Sequence, residues 1–364
     1  MTALDFVQVD GYKSIRSAKI DLGAVNVLVG ANGAGKSNLL GVFGLLADLA
    51  EGRLQLHIGR QGGADAILHF GRKKTSALLI ALQFGLHGYA AALVPSAGDT
   101  LVFEDEMGLS WERPSRASSG TARQQRFGVA GHKESGLVDR YDVHDTRRAV
   151  AEPVVAAMTS WRPFHVRDTG RSAPVKQKCK IDDHRALRAE GDNLAPVLYA
   201  LQATAPGAYR RIVEAVRSVA PFFDDFSLVP DAVDPEVIQL AWRHRGDGAL
   251  FTAESLSDAT LRFICLATLL CQPELPSLIV IDEPELGLAP FAIAELAALV
   301  RAAASTSQVL LATQSVALLD QFNAGEVIVA ERKKGESTFR RLDDKALEGW
   351  KQESSLGPAA SPRG

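Results

Sequence analysis

The pattern of apolar and polar residues predicts short strands at the start of the chain and a helix soon after them. Leu4–Val9 and Ala18–Leu22 are strand signals joined through Gly11–Ile15. Val25–Val29 is apolar almost throughout, which is typical of a strand that is buried on both faces. From Lys36 onward the apolar residues recur at the spacing of a helix. These residues are Leu39, Leu40, Phe43, Leu46 and Leu49.

A second set of strand signals follows, and the short turn-like links between its members favour an antiparallel meander. The three predicted strands are Ala77–Phe84, Tyr89–Val94 and Thr100–Phe103. Residues 113–136 are rich in Arg, Ser, Gly and Gln without apolar periodicity, so we expect a mobile loop there. A helix over Thr146–Thr159 and a strand over Trp161–Val166 are expected next.

The second half of the chain alternates strands with helices, and this order favours a largely parallel sheet. It begins with a predicted helical stretch over residues 182–223, with Pro196 and Pro206 as breaks or first-turn residues. A sustained heptad repeat is absent from the sequence, which excludes a long coiled-coil arm. The later elements are strand Val237–Trp242, a helix after Ser257, strand Leu278–Ile281, helix Phe291–Ala303, strand Gln308–Ala312, helix Val316–Phe322, strand Glu326–Ala330 and a frayed tail over 351–364.

Length and element order together predict an α/β protein with an antiparallel meander and a helical insertion. A chain of 364 residues is long enough for one large domain with an insertion, or for two domains. We expect an N-terminal lobe over residues 1–160, a helical insertion lobe over 161–250, a C-terminal lobe over 251–345 and a tail over 346–364.

Composition places the chain among globular proteins and leaves its partners undecided. Hydrophobic residues make up 46% of the sequence, which is ample for a core. Neither an apolar run of about 18 residues nor a signal-peptide pattern is present, so we expect a cytoplasmic protein without a membrane partner. Cys179, Cys265 and Cys271 lack zinc-ligand spacing and fit a reducing compartment as buried thiols. A net charge of −3 does not by itself indicate a nucleic-acid-binding protein.

The segment between the apolar strand and the first helix matches a phosphate-binding loop at all eight positions. Its residues are Gly30, Ala31, Asn32, Gly33, Ala34, Gly35, Lys36 and Ser37, and we count the following Asn38 with them as nucleotide-binding. Glycines let the backbone amides converge on a β-phosphate, and the helix N-terminus adds a favourable dipole. Lys36 is expected along the β- and γ-phosphates of ATP, and Ser37 is expected to supply a hydroxyl oxygen to Mg²⁺.

Two adjacent acids end the apolar strand that begins at Leu278. Asp282 is placed to meet the Mg²⁺ shell opposite Ser37. Glu283 follows directly and points elsewhere, which suits it to polarise the attacking water as a general base, or leaves it as a solvated loop acid.

Two further polar positions have both an ordinary and a functional interpretation. Ser257 precedes an apolar helix, so it is either a plain N-cap or a hydroxyl at an anion site for a second γ-phosphate. Gln314 follows a neighbouring strand, where it either faces the γ-phosphate or belongs to a plain loop. A glutamine in that place cannot titrate as histidine does.

Together these motifs resemble the RecF/SMC-like branch of the ABC ATPases, which are P-loop NTPases. More closely, they are similar to small stand-alone ATPases related to RecF and the OLD proteins. The segments that carry the resemblance are Gly11–Ile15, Gly30–Ser37, Asp168–Gln177, Leu256–Thr260, Asp282–Glu283, Glu285–Pro290 and Thr313–Ser315. The similarity covers most of residues 4–345.

The resemblance implies an ABC-type head that closes head-to-tail with a second copy around two ATP molecules. Ser257 would then contact the γ-phosphate that the other subunit binds, and Gly287 and Leu288 match the loop that links the two sites. Two departures concern the chemistry. Asp258–Ala259 replaces the usual glycine pair, and Gln314 replaces the switch histidine, so hydrolysis is expected to be slow or to rely on another group. Gln177 is either the glutamine that senses Mg²⁺ or a solvated loop residue.

The resemblance and the basic stretches leave three classes of function open. DNA-linked switching, in repair or mobile-element defence, is suggested by related heads and by salt-sensitive contacts that clustered cations make with phosphates. An ATP-gated interaction module that controls a separately encoded effector is the alternative, since the chain holds no second catalytic domain. A transporter subunit is disfavoured by the long insertion. The basic stretches are Arg113, Arg116, Arg123, Arg126 and Lys133, and then Arg162, Arg167, Arg171, Lys176, Lys178, Lys180, Arg185 and Arg188.

Overall fold

Two six-stranded sheets form the frame of the protein in its computed structural model, which describes residues 3–111, 122–139, 141, 144–161, 163–166, 168–170, 172–343 and 345. The strands are β1 (Leu4–Tyr12), β2 (Ile15–Asp21), β3 (Val25–Val29), β4 (Leu78–Phe84), β5 (His87–Ser96), β6 (Thr100–Trp111), β7 (Ala122–Arg126), β8 (Pro163–Phe164), β9 (Cys179–Lys180), β10 (Phe223–Phe226), β11 (Val237–Ile238), β12 (Ala241–His244), β13 (Leu250–Thr252), β14 (Leu278–Asp282), β15 (Gln308–Thr313), β16 (Val327–Lys333) and β17 (Glu336–Arg341). The helices are α1 (Lys36–Ala50), α2 (Leu54–Arg60), α3 (Ala64–Ile67), α4 (Thr146–Met158), α5 (Leu194–Thr204), α6 (Pro206–Val219), α7 (Asp258–Cys271), α8 (Pro290–Ala303) and α9 (Val316–Leu319).

The first sheet is antiparallel and has the order β2-β1-β4-β5-β6-β7. Its middle contains the predicted meander, which is thereby confirmed, and β1 pairs with β4 so that the meander and the N-terminal hairpin form one sheet. The predicted mobile loop over 113–136 was wrong for Ala122–Arg126, which pair with β6 as an edge strand. Edge strands accept polar residues because one side faces solvent, so the sequence lacked an apolar signal there. Residues 112–121 lie outside the described ranges.

The second sheet has the order β17-β16-β3-β15-β14-β8, and its five strands from β16 to β8 are parallel. This confirms the parallel sheet that the alternation of strands and helices predicted. Parallel strands bring their carboxyl ends to one edge, so the segments that follow β3, β14 and β15 meet there. The antiparallel β17 was missing from the prediction, because a short polar sequence at a sheet edge carries little periodicity.

The parallel sheet separates two apolar clusters, and β3 contributes to both. Val25, Val27 and Val29 point into the cluster with α5 to α8, whereas Leu28 points into the cluster that α1 fills beneath the antiparallel sheet. All five residues of β3 are buried, as a strand covered on both faces must be. The helix predicted from Lys36 is confirmed as α1, and it lies between the two sheets.

The region predicted as a helical insertion is partly β-structure. In addition to helices α5 and α6, this region contains a three-stranded sheet, β10-β12-β13, and a two-stranded sheet, β9-β11. The helix predicted from residue 182 was wrong up to Asn193, whose buried amide group holds the preceding segment as turns. Asn193 Nδ2 donates to the carbonyl oxygens of Asp183 and Ala186, and Asn193 Oδ1 accepts from Arg188 N. A side chain that satisfies backbone groups in this way competes with helix formation.

Two remaining expectations concern cysteines and membranes. Cys265 and Cys271 are buried in α7, and burial raises the pKa of the Cys265 thiol to about 12. Among the described residues, no helix is both long enough and apolar enough to cross a bilayer.

Candidate functional site

The phosphate loop runs from β3 to α1 and rests against the hairpin of β16 and β17. A side chain at Gly30 would bring its Cβ within 2.3 Å of the Ala330 carbonyl oxygen, so only glycine fits. Gly35 has a φ of 107°, and a Cβ there would lie 2.1 Å from Ser337 Oγ. Both glycines are therefore required by the close approach of backbone to its neighbours, in addition to any role toward phosphate.

Lys36 is buried at the first position of α1 and faces back into the loop. Its Nζ donates to the carbonyl oxygens of Gly30 at 2.6 Å and Ala31 at 3.2 Å. Burial lowers the pKa of the Lys36 ammonium, while the carboxylates of Glu283, Asp282 and Glu285 act in the opposite direction. The positive charge thus lies close to three carboxylates at the carboxyl edge of the parallel sheet.

The other loop residues divide between exposed and structural positions. Ala31, Asn32, Gly33 and Ser37 are exposed, whereas Ala34 is buried. Asn38, which the sequence counts as nucleotide-binding, donates its amide to Ser14 Oγ at 2.6 Å, and Ser14 in turn lies 2.7 Å from Ser337 Oγ. Its observed contacts therefore brace the start of α1.

The acids after β14 adopt a backbone that directs them to different places. Asp282 is the last residue of β14 and is mostly buried. Glu283 has a φ of 48°, a left-handed conformation that is uncommon for a residue with a side chain. Its backbone N donates to the Ala312 carbonyl oxygen at 2.8 Å, which ties the turn to β15. Unfavourable backbone of this kind tends to occur at functional sites, where the surrounding structure holds it.

Gln314 and Thr313 connect the end of β15 to these acids. Gln314 Nε2 donates to Glu283 Oε1 at 2.8 Å, so the two residues predicted to be catalytic are in direct contact. Glu285, which we did not single out from the sequence as a site residue, accepts from Thr313 Oγ1 and from Gln314 N. Its other oxygen, Oε2, is buried and has no hydrogen-bond partner among the described residues. The one available signal was its place as the third acid in the run from Asp282.

Ser257 caps the start of α7, and the segment that contains Gln177 approaches the same helix through Lys176. Ser257 Oγ accepts from Thr260 N at 3.1 Å, which is the geometry of an N-cap. The buried Lys176, next to Gln177, donates to the Thr169 carbonyl oxygen and lies 3.8 Å from Asp258 Oδ1. The negative charge that Asp258 adds to this segment therefore has a nearby cation that partly offsets it.

The loop at Gly287 lies against the same helix. Gly287 has a φ of 79°, and a Cβ there would approach the Ala259 side chain at 3.7 Å and an Arg262 nitrogen at 3.5 Å. Arg262 itself donates to the Val166 carbonyl oxygen and to Thr169 Oγ1. The segment after the acids that end β14 is thus in contact with the segment that contains Ser257.

A cavity of about 720 Å³ opens beside the phosphate loop, and of its lining residues the sequence analysis had named only Asn38 as a site residue. Phe70 projects there from a left-handed backbone with a φ of 55° and is 59% exposed. Arg332 donates to the Gly33 carbonyl oxygen at 3.3 Å, which joins the cavity to the loop. The lining residues are Lys13, Ser14, Asn38, Gln61, Asp65, Ala66, Leu68, Phe70, Gly71, Lys73 and Arg332.

The donor groups at the sheet edge suit a magnesium–nucleotide complex. Magnesium prefers oxygen ligands, and it is usually held by one or two protein groups together with phosphates and water. Ser37 offers an exposed hydroxyl, and Asp282 offers a strand-end carboxylate. Lys36 Nζ, now bonded to loop carbonyl oxygens, has the charge that phosphates require. The residues therefore fit both Mg²⁺ and the phosphates of a nucleotide.

The topology and the phosphate loop define an α/β protein with the P-loop, ABC-type fold that SMC heads also have. The chain belongs to the family described as "AAA domain, putative AbiEii toxin, Type IV TA system", whose model matches residues 25–320. A search of curated proteins gave no match.

Solved structures of SMC heads share this fold across nearly their whole length. An SMC head bound to the C-winged helix domain of ScpA aligns with a TM-score of 0.56 and 15% identity over 95% of this chain and 99% of that chain. A head from Pyrococcus furiosus, bound to the C-terminal domain of ScpA, gives 0.55 and 12% over 97% and 100%. One from Pyrococcus yayanosii gives 0.53 and 10% over 98% and 100%. At these identities the likeness establishes the fold alone.

Proposed function

We propose that this protein binds ATP with Mg²⁺ at Gly30–Ser37 and hydrolyses it. The observation that carries the proposal is the convergence of the phosphate loop and the acidic turn after β14 at the carboxyl edge of one parallel sheet, where the carboxylates of that turn favour the charged form of Lys36. On binding of ATP, Lys36 would exchange its two loop carbonyl oxygens for β- and γ-phosphate oxygens, and Ser37 and Asp282 would hold Mg²⁺. The chemistry that the ion would supply there is neutralisation of the charge that develops on the phosphates.

Glu283 acts as the general base in this proposal. Its carboxylate takes the proton from the attacking water, and the hydrogen bond from Gln314 Nε2 fixes its orientation. Because Gln314 also contacts Glu285 through its backbone N, the end of β15 is held to the acidic turn at two points. Gln314 cannot carry the proton itself, so it serves as a positioning residue.

The second half of the proposal is a head-to-tail dimer around two ATP molecules. Ser257 supports it because a helix N-terminus with a hydroxyl at the cap attracts an anion. The carboxylate of Asp258, which would repel phosphate, is partly offset by Lys176. The carboxylates that act to raise the pKa of Lys36 are Glu283, Asp282 and Glu285, and Asp258 of the same chain is not among them. We therefore assign Ser257 to the γ-phosphate bound by a partner subunit.

Mixing two inactive variants tests this shared site. Lys36→Ala removes the phosphate contact and Ser257→Arg blocks the opposing surface, so each variant alone is expected to be inactive. A mixed dimer contains one site with both residues intact. An equal mixture should therefore recover about one quarter of the wild-type ATPase rate, since half the dimers are mixed and each has one working site.

Two controls make the mixing experiment decisive. Each variant at doubled concentration must stay inactive. Both variants must also be folded, with a thermal stability that differs from the wild type by no more than the loss of one helix N-cap would cause. Recovery in the mixture supports the head-to-tail site. Absence of recovery, with both variants folded, would reject the assignment of Ser257 to the partner's nucleotide.

The process that the ATPase drives is proposed to be DNA-linked, in repair or mobile-element defence. Arg123 and Arg126 are exposed on the edge strand β7, and Lys133 is exposed beyond it. Acidic residues pair with cations in both basic stretches: Arg126 pairs with Asp105, Lys178 pairs with Asp231, and Arg188 pairs with Asp183 and Asp192. Arg113, Arg116, Arg162, Arg167 and Arg171 lie outside the described residues.

Binding to duplex DNA at low salt tests this role. We expect a mobility shift with ATP that weakens steeply as salt rises, because contacts to phosphates release counterions. Replacing Arg123 and Arg126 together with alanine should weaken the shift, whereas replacing Lys333 and Lys334, exposed cations on the β16–β17 hairpin, should not. Equal ATPase rates with and without DNA, together with no shift, would count heavily against a DNA-linked role.

An ATP-gated module that controls a separate effector protein is the alternative. It is favoured by the similar SMC heads that were solved with a domain of ScpA bound, and by a family description that includes a toxin–antitoxin system. Binding of a partner protein in one nucleotide state and not the other would support it. A pull-down that recovers the same proteins with and without ATP would count against it.

A further inference from the structure

The short strand β8 brings His165 to the level of Asp282. Pro163 pairs with Val280 and Phe164 pairs with Ile281 in the parallel register. One step further along both chains, His165 lies opposite Asp282. The backbone N of His165 donates to the Ala189 carbonyl oxygen at 2.9 Å, which fixes the residue after the strand ends.

The imidazole of His165 is mostly buried and faces the carboxylate. Its Nδ1 lies 3.6 Å from Asp282 Oδ2, and the two side chains are 15% and 10% exposed. This nitrogen has no hydrogen-bond partner among the described residues. A buried polar atom without a partner is destabilising, so the place of this nitrogen beside a carboxylate indicates a function.

We propose that His165 positions the Asp282 carboxylate for the magnesium ion of the ATP complex. With the proton on Nδ1, the imidazole would donate to Oδ2 once the present 3.6 Å separation shortens to hydrogen-bond distance, and the carboxylate would then be held in one orientation toward the ion. Such supporting hydrogen bonds orient ligands and raise metal affinity. The inference rests on the proposed ATPase function and deepens it by naming a residue that supports the magnesium site. The role of Gln177 toward Mg²⁺ stays a separate prediction.

Direct coordination of Mg²⁺ by His165 is the alternative, and it is less consistent with the chemistry of an imidazole group. Imidazole nitrogen is a poor ligand for Mg²⁺, which prefers oxygen, whereas an N–H group is a good donor to a carboxylate.

Substitutions at His165 separate a hydrogen-bonding role from simple packing. Asparagine places its amide nitrogen where the histidine ring has Nδ1, whereas leucine fills similar space without a donor. The quantity to measure is the strengthening by Mg²⁺ of binding of a non-hydrolysable ATP analogue, relative to binding in EDTA. We expect His165→Leu to reduce this strengthening about 10- to 100-fold, and His165→Asn to preserve most of it. Binding in EDTA should be the same in all three proteins.

Each outcome has a distinct meaning. If His165→Leu keeps the full effect of Mg²⁺, or if His165→Asn loses as much as leucine does, the proposed hydrogen bond is wrong. If the wild-type protein binds no analogue under either condition, the proposed ATPase function fails instead. His165→Gln, whose amide nitrogen falls where Nε2 does, should behave as leucine does and replaces it if the leucine variant does not fold.

Discussion

Replacing Glu283 with glutamine is expected to lower the rate of ATP hydrolysis by about 10²- to 10⁴-fold, which is the usual contribution of a general base. The amide keeps the size of the side chain but cannot accept the proton of the attacking water. ATP binding should be unaffected, because Lys36 and the phosphate loop are unchanged. ATP-bound protein should therefore accumulate as a dimer, detectable by size-exclusion chromatography or sedimentation with ATP and Mg²⁺.

The comparison for this variant is Glu274→Gln, which changes an exposed acid in the loop before β14 and should hydrolyse ATP at the wild-type rate. Gln314→Ala gives a second comparison, since it removes the hydrogen bond to Glu283 while leaving the carboxylate in place. A Glu283→Gln protein that stays strictly monomeric with ATP would overturn the proposed head-to-tail dimer around two ATP molecules. Undiminished turnover would overturn the assignment of Glu283.

Lys36→Ala is expected to weaken ATP binding by at least about 100-fold. Two charge-assisted hydrogen bonds to phosphate oxygens are lost, each contributing about 1.5 to 3 kcal/mol, and every 1.4 kcal/mol corresponds to a tenfold change in affinity. Arg332 also contacts the loop, but at the Gly33 carbonyl oxygen, whereas Lys36 contacts the carbonyl oxygens of Gly30 and Ala31. Equilibrium binding of a fluorescent ATP analogue measures the effect.

Lys36→Met and Lys333→Ala complete this measurement. The methionine keeps most of the buried volume of Lys36, so a loss of binding shared by the alanine and methionine variants reflects the missing charge. Lys333 is an exposed cation at the end of β16, and its replacement should leave affinity at the wild-type value. Unchanged ATP affinity in both Lys36 variants would refute the role of Lys36.

Long elements with strong periodicity were predicted correctly from the sequence. Helices α1 and α7 have continuous apolar stripes, and β3 and β14 are apolar runs that end at the loop and at Asp282. Burial on both sides of the sheet imposes that pattern on the sequence itself. The failures were elements whose formation depends on distant partners, such as the edge strands β7 and β17.

The turns before α5 illustrate the same limit. Apolar and charged residues between 182 and 192 are compatible with a helix when considered locally. The buried Asn193 amide group captures the Asp183 and Ala186 carbonyl oxygens, and so stabilises turns in their place. Sequence periodicity does not include hydrogen bonds of this kind, because they depend on which side chain the core buries.

The sequence by itself determined the phosphate loop, the acids at the end of β14 and the order of strands and helices. Each of these is a local pattern, because glycine geometry, strand burial and adjacent side chains are set by neighbours in the chain. Only the tertiary structure brought Gln314 to Glu283, Lys176 to Asp258 and His165 to Asp282. Those contacts cross between strands or lobes, and a parallel sheet places residues together according to its strand order and register, which the sequence does not state directly.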